Sequence, residues 1–403
     1  MIQLVRTVPV LILALAATFL LGMGTLAGTA AIFLSTAVIL ARLGYEDLAH
    51  APESGYLALR QTGCGPCKAG VRALLPEILP SYLSNVLYLL EANVRNSAIL
   101  GYVGAGGIGL LLNEKLSWRQ YDKVGMALVL LFFAVGAAEV LSEMFRIWLK
   151  EGKKTISWQL WCLLFVPALL LAGRSESGNG MRAAQAMLLG ILHPDWSMLL
   201  DFGRSGVWYL LLETVCIAWA GTILGAVLSV PMALAGSLRL MPKWAAAAVR
   251  GLAAAVRTIP VFVYGLMFLR VTGPGAFAGV MTLGVTSTAL LTRRFQEAAD
   301  SLDLRAWHAL RNAGVPWLVC VFRVLLPQLA PAFAAAVLYR FDVNVREASV
   351  LGMVGAGGIG APLVMAMNQY KWNQAGAILL GLAASVLAVG YGSSALSRRL
   401  KQL

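Results

Sequence analysis

Long uncharged apolar runs recur along this chain, among them Thr214 to Leu238, Val271 to Thr292 and Ala375 to Leu396, separated by short stretches that gather Lys and Arg with a few acids. Each run reaches the ~20 residues that a helix needs to cross a hydrocarbon core. Lipid offers no hydrogen bonds to an open strand, so the runs predict helices. These are expected near 158–173, 208–235, 245–270, 276–293, 320–342 and 373–396 in the later part of the chain, and near 5–21, 25–42, 74–92 and 122–148 in the earlier part. Thr272-Gly273-Pro274-Gly275 is a turn signal between two of them. The stretch from Arg293 to Trp317 sets Arg293, Arg294, Arg305 and Arg311 against Glu297, Asp300 and Asp303, and is too charged to lie in lipid.

The two parts repeat one another. Asn93 to Gly109 (N-V-R-N-S-A-I-L-G-Y-V-G-A-G-G-I-G) returns as Asn344 to Gly360 (N-V-R-E-A-S-V-L-G-M-V-G-A-G-G-I-G), an offset of 251 residues. The same offset, without a gap, sets Val5-Arg6-Thr7-Val8-Pro9-Val10 on Val256-Arg257-Thr258-Ile259-Pro260-Val261, and Arg60, Gly63, Leu75-Pro76 and Tyr88 on Arg311, Gly314, Leu326-Pro327 and Tyr339. Residues 1–152 therefore repeat 252–403, and two domains are expected: 1–152, lacking its first helices, and a complete 153–403 with its core in 199–403. The expected reason for the difference is a truncated gene or a start codon assigned too late.

Composition sharpens the class. With 59% hydrophobic and 13% charged residues and a mean hydropathy of +0.76, the chain is far too apolar for a soluble domain, where about a quarter of residues are charged. An all-α polytopic membrane protein of about 10 transmembrane helices is expected. The net charge of +13 does not mark nucleic acid as a partner, because the basic residues sit at the ends of apolar segments, where they report orientation. That rule puts Arg239, Lys243 and Arg250, the 293–317 stretch and Arg398, Arg399 and Lys401 in the cytoplasm, with 174–201 as the main external loop. Even numbers of crossings, six and four, make the repeats parallel and both termini cytoplasmic. Parallel repeats are related by an axis along the membrane normal. Five cysteines, odd in number and mostly isolated, do not make a disulfide framework.

Gly104 to Gly109 and Gly355 to Gly360 both satisfy G-x-G-x-x-G. The dinucleotide fingerprint also needs a preceding strand and a distal acid in a βαβ unit, which is missing between membrane helices. Two readings stay open: unwound backbone lining a cavity, with Gly104, Gly106, Gly107, Gly355, Gly357 and Gly358 allowing close approach, or a simple external loop. Just before the glycines lie Asn93 and Arg95, matched by Asn344 and Arg346, with Glu347 following. Ionisable residues near membrane segments are functional candidates. Arg95 and Arg346, facing one another across the axis, would suit an anion that guanidinium binds bidentately. Equally, Arg346 could pair with Asp342 and Arg95 with Glu91, four residues away on one helix. Cys64-Gly65-Pro66-Cys67 has the C-x-x-C spacing, but its counterpart Val315-Pro316-Trp317-Leu318 has no cysteine, and the thioredoxin-like surroundings of the redox motif are absent. There is no P-loop motif for ATP.

The stretch His308-Ala309-Leu310-Arg311-Asn312-Ala313-Gly314 with Leu326-Pro327, and its copy Leu57-Ala58-Leu59-Arg60-Gln61-Thr62-Gly63 with Leu75-Pro76, resembles the EAA loop of ABC importer permeases, although the family's glutamate is missing in both. Together with N-V-R-x-x-x-x-L-G-x-V-G-A-G-G-I-G and Arg257-Thr258-Ile259-Pro260, the chain is similar to permeases of phosphonate ABC importers over nearly all of 199–403 and 1–152. The resemblance implies two tandem transmembrane domains of the type I ABC importer class around one pathway. It implies a bacterial inner-membrane location, no catalytic residue, metal or cofactor in this chain, a periplasmic or lipid-anchored phosphonate-binding protein, and cytoplasmic ABC ATPase subunits gripping the segments around Arg60 and Gly63 and around Arg311 and Gly314. Phosphite, a phosphate ester or methionine are alternative substrates; a thiol redox protein using Cys64 and Cys67, or an inactive truncated product, are alternatives of another kind.

Overall fold

The computed structural model describes residues 10–22, 24–101, 107–150, 180–203, 206–302 and 305–400. Helices account for nearly all of these residues, and there is no strand among them. The helix expected near 158–173 lies outside the described residues. Among the described residues, six helices are long and apolar enough to cross a membrane, or seven if one bent pair is a single span. Large apolar side chains such as Phe133, Val227 and Val271 are exposed, which suits a lipid-facing surface.

The chain divides into two units, Met1–Ala184 and Gln185–Leu403. In the first, α1 (Val10–Leu21) and α2 (Thr25–Ala49) are followed by the short exposed α3 (Ser54–Gln61), then α4 (Leu75–Leu100), α5 (Ile108–Ser117) and α6 (Tyr121–Lys150). Helix α2 packs on α1 and α4, and α4 on α6. Helix α7 (Gly180–Leu192) runs across the division. The second unit continues through a one-turn helix, Trp196–Leu200, capped by Asp195. The Ser197 hydroxyl donates to Asp195 at 2.6 Å and holds its carboxyl below the usual range. Next come α8 (Val207–Ala235), α9 (Lys243–Thr258), α10 (Val261–Thr272), α11 (Ala276–Asp300), the short α12 (Arg305–Asn312), α13 (Leu326–Gly352), α14 (Gly360–Asn368) and α15 (Trp372–Leu400).

Helices α8, α11 and α13 form the centre of this unit. A Cβ added at Gly221 would lie 2.6 Å from that of Leu283, and one at Gly225 2.5 Å from that of Ser287. Small residues at i and i+4 thus let α8 and α11 approach closely, the usual means of association where no hydrophobic effect separates helix from lipid. The segment 245–270, expected as one helix, is two, α9 and α10, bent by 84°. Pro260 has no N–H to continue the ladder and forces Ile259 into an extended conformation, ψ 126°. Helices expected to stop near 42, 293 and 342 run on to Ala49, Asp300 and Gly352. Their polar ends stay helical partly through Arg42–Glu46, Arg293–Glu297 and Arg346–Asp342, each four residues apart.

The repeat is written into the backbone. Gly22 and Gly24 (φ 85° and 148°) fall on Gly273 and Gly275 (83° and 146°), and Arg119 (55°) on Tyr370 (57°), the two non-glycine residues with positive φ among those described. A π-helical segment precedes α4 at Gly70–Leu74 and α13 at Val321–Leu325. Pro76 and Pro327 explain both, because each lacks the N–H that would bind the carbonyl four residues back, and the turn widens until Leu75 and Leu326 donate five residues back, to Gly70 and Val321.

Candidate translocation site and coupling segments

A polar network sits where α8, α11 and α13 meet. Asn344, fully buried, donates to the Thr222 hydroxyl at 2.7 Å and the Ser287 hydroxyl at 2.9 Å. One turn earlier on α13, Arg340 is only 5% exposed. Its guanidinium donates to Ser287 Oγ at 3.0 Å, to Thr286 Oγ1 at 3.4 Å and to Glu347 Oε2 at 2.6 Å. A charge this far from water persists only with such partners. Arg346 pairs with Asp342 at 2.9 Å, four residues earlier on the same helix. The side chain of Arg95 lies outside what is described. In the first unit Asn93 donates to Thr36 at 2.9 Å. Thr36 is the counterpart of Ser287, so the asparagine contact is common to both repeats.

Arg340, Ser287 and Thr222 were not among the expected site residues. Comparing the repeats concealed Arg340, since its counterpart is Leu89. The available signal was a cation inside an apolar helix with an acid seven residues, two turns, further on.

The glycine-rich stretch after α13 is a reversal packed inside the unit. Gly355, Gly357 and Gly358 have φ of 102°, 82° and 76°, a region that glycine enters without steric cost. The Ile359 N–H donates to Thr214 Oγ1 at 2.9 Å, and the Gly275 N–H to the Gly355 carbonyl at 2.9 Å. A Cβ at Gly358 would lie 2.5 Å from Thr214 Oγ1. Irregular backbone is thereby buried against α8 and the start of α11, as membrane depth demands. In the first copy Gly107 keeps a positive φ of 83°, and Gly104 and Gly106 lie outside the described residues.

The expected coupling segments are the same structure twice. Helices α3 and α12 end at Gly63 (φ 81°) and Gly314 (φ 80°), left-handed residues that close a helix C-terminus. Arg60 donates to the Cys64 carbonyl at 3.1 Å and Arg311 to the Val315 carbonyl at 3.0 Å. Each arginine thus staples the turn that follows its own helix. No residue of α3 is buried, while α12 rests on Trp307, edge-on to Trp317 at 6.3 Å. Cys64 and Cys67 are free thiols.

The profile of the family described as "Binding-protein-dependent transport system inner membrane component" matches residues 1–144 and 221–402. The chain belongs to that family. This permease subunit is 27% identical over 396 residues to the phosphate-import permease protein PhnE of Mycolicibacterium smegmatis, covering 95% of this chain and 74% of that protein. It is 31% identical over 224 residues to the phosphite transport system permease protein PtxC of Stutzerimonas stutzeri, covering 55% of this chain and 80% of the other. Over 123 residues it is 32% identical to the putative cryptic phosphonate transport system permease protein PhnE2 of Escherichia coli, covering 30% of this chain and 98% of that one. Its matches fall in two segments, as two copies of a multi-pass inner-membrane domain require.

Proposed function

We propose that this permease carries a small phosphorus oxyanion, a phosphonate by preference and phosphite or phosphate as alternatives, across the bacterial inner membrane. A periplasmic or lipid-anchored binding protein delivers the substrate, and cytoplasmic ATPase subunits engage α3 and α12. The observation that carries this reading is the pair of exposed, glycine-closed helices at the same place in both repeats, joined to relatives named for phosphate, phosphite and phosphonate transport. Asn93, Arg95, Asn344, Arg346 and Glu347 with the glycine turns stand as the pathway candidates. Within that set Arg346 is the residue to meet the anion, because Glu347 carries the anion's own sign of charge and Asn344 is fully buried. The oxyanion would take the place of Asp342 on the Arg346 fork.

A permease-deficient host supplied with this chain, its binding protein and its ATPase should grow on a phosphonate as sole phosphorus source. Arg346→Lys keeps the charge and loses the two-pronged donor set, and should slow uptake by about tenfold without lowering the amount of protein in the membrane. Growth on none of phosphonate, phosphite and phosphate would sink the substrate class.

A further inference from the structure

The two repeats fasten the helix that leads into each expected coupling segment to different neighbours. In the first unit the last turn of α2 is held to α4: Asp47 accepts from the Ser81 hydroxyl at 2.8 Å and from the Asn85 amide at 3.0 Å. Carried 251 residues on, Asp47, Ser81 and Asn85 become Ala298, Ala332 and Ala336, whose side chains offer neither donor nor acceptor. In the second unit the last turn of α11 is held instead to the corner between α8 and α9. Asp300 accepts from the Ser237 hydroxyl at 2.9 Å and pairs with Arg250, whose Nε also donates to the Gly236 carbonyl at 2.9 Å. Arg239 Nη1 donates to the Leu302 carbonyl at 3.0 Å. Carried 251 residues back, Asp300 becomes Ala49, so that position of the first unit has no carboxylate for the second unit's clip. The helix crossing itself is kept. Phe295 on α11 stacks on Phe333 of α13 with ring centroids 3.8 Å apart. Their counterparts are Gly44 and Tyr82, and a Cβ at Gly44 would lie 3.2 Å from the Tyr82 ring. The register of α2 on α4 therefore matches that of α11 on α13, and it is the fastening that differs.

We propose that Asp47 and Asp300 are positioning residues that make α3 follow α4 and α12 follow the α8–α9 corner, so that the same push from an ATPase subunit reaches different helices in the two repeats. Hydrogen bonds to a carboxylate are the strong ones, and a helix end held on its neighbour moves with it as one body. Helix α3 starts at Ser54 and α12 at Arg305, each within a few residues of its aspartate. The consequence for transport rests on α3 and α12 being the coupling helices; the fastening does not.

The fastening is tested on the full chain in nanodiscs, which needs neither transport nor partners. In a cysteine-free background, spin labels replace exposed residues of one unit at a time: Trp244 on α9 with Ala309 on α12, or Leu57 on α3 with Leu79 on α4. Pulsed electron paramagnetic resonance should give a narrow distance for each pair. Asp300→Ala should widen the Trp244–Ala309 distribution about twofold and leave the Leu57–Leu79 pair unchanged, and Asp47→Ala should do the reverse. A graft separates positioning from plain stability. Adding Ala298→Asp, Ala332→Ser and Ala336→Asn to Asp300→Ala gives α11 the fastening of α2, onto α13. Its unfolding temperature should return towards that of the wild type, while stimulated ATP hydrolysis in the assembled complex stays about tenfold low in kcat with KM for ATP unchanged, because α12 then follows another helix. Two results overturn the proposal: neither aspartate variant widening its own pair, or the graft regaining stimulation together with stability. A graft that unfolds leaves the decision to the label widths. A wild-type complex without stimulation sinks the coupling reading alone, since the label widths still decide the fastening.

Discussion

Among the described residues Arg340 is the charged side chain that is buried. Removing a guanidinium from water costs several kcal/mol, recovered only through close partners. Glu347 at 2.6 Å supplies the charge, and Ser287 and Thr286 supply acceptors. The first repeat solves the same helical position without charge, with Leu89 for Arg340 and Asn96 for Glu347. Glu347→Gln leaves the cation buried and unpaired and is expected to destabilise the protein by about 2 kcal/mol, an amount reduced for the partial exposure of Glu347. The double variant Arg340→Leu, Glu347→Asn installs the pair of the first repeat and should recover most of that loss. Thermal unfolding in detergent decides it: a double variant less stable than Glu347→Gln alone means that the ion pair does more than neutralise itself.

At the scale of the element, the coupling segments owe their shape to backbone chemistry that the sequence displays openly. Gly63 and Gly314 take a φ near 80° where a Cβ would meet no other atom, so the constraint is the dihedral and not space. A β-branched residue there costs roughly 1–2 kcal/mol and loosens the turn that Arg60 or Arg311 staples. Gly63→Val and Gly314→Val should each lower ATPase stimulation in the assembled complex, and the pair should abolish it; stimulation left intact in the pair removes these helices from the coupling path. Such turns were legible because glycine announces them, and helix existence was legible because apolar runs of membrane length have few other uses. The ends of α2, α11 and α13 were not, since a reading that stops at the first charge cannot see an i,i+4 pair carrying the helix onward. The bend between α9 and α10 was within reach, because the proline that makes it is in plain view. The Asn344 network was only half legible: the asparagine stands out as a repeat, while its partners on α8 and α11 are hydroxyls that look like ordinary helix residues until the helices are packed.

For the whole molecule the decisive property is the direction of the second repeat relative to the first. An offset of 251 residues that carries positive-φ glycines, π segments and capped helices onto one another shows two copies of one local structure, yet local structure is the same for a copy inserted either way up. Charge is what predicts direction: Arg42, Arg60 and Lys68 surround α3 as Arg293, Arg305 and Arg311 surround α12, and the positive-inside tendency leads us to expect both in the cytoplasm. Parallel copies would place both helices on that side, within reach of the proposed ATPase subunits; inverted copies would leave one facing the periplasm and without a partner. In a cysteine-free background, single cysteines at Leu57 on α3 and Ala309 on α12, both exposed in the structure, should react with a membrane-impermeant maleimide in inside-out vesicles and stay unlabelled in intact spheroplasts. Labelling of one site from each side would make the repeats inverted, confine ATPase contact to a single helix, and remove the reason for expecting Gly63→Val and Gly314→Val to act alike.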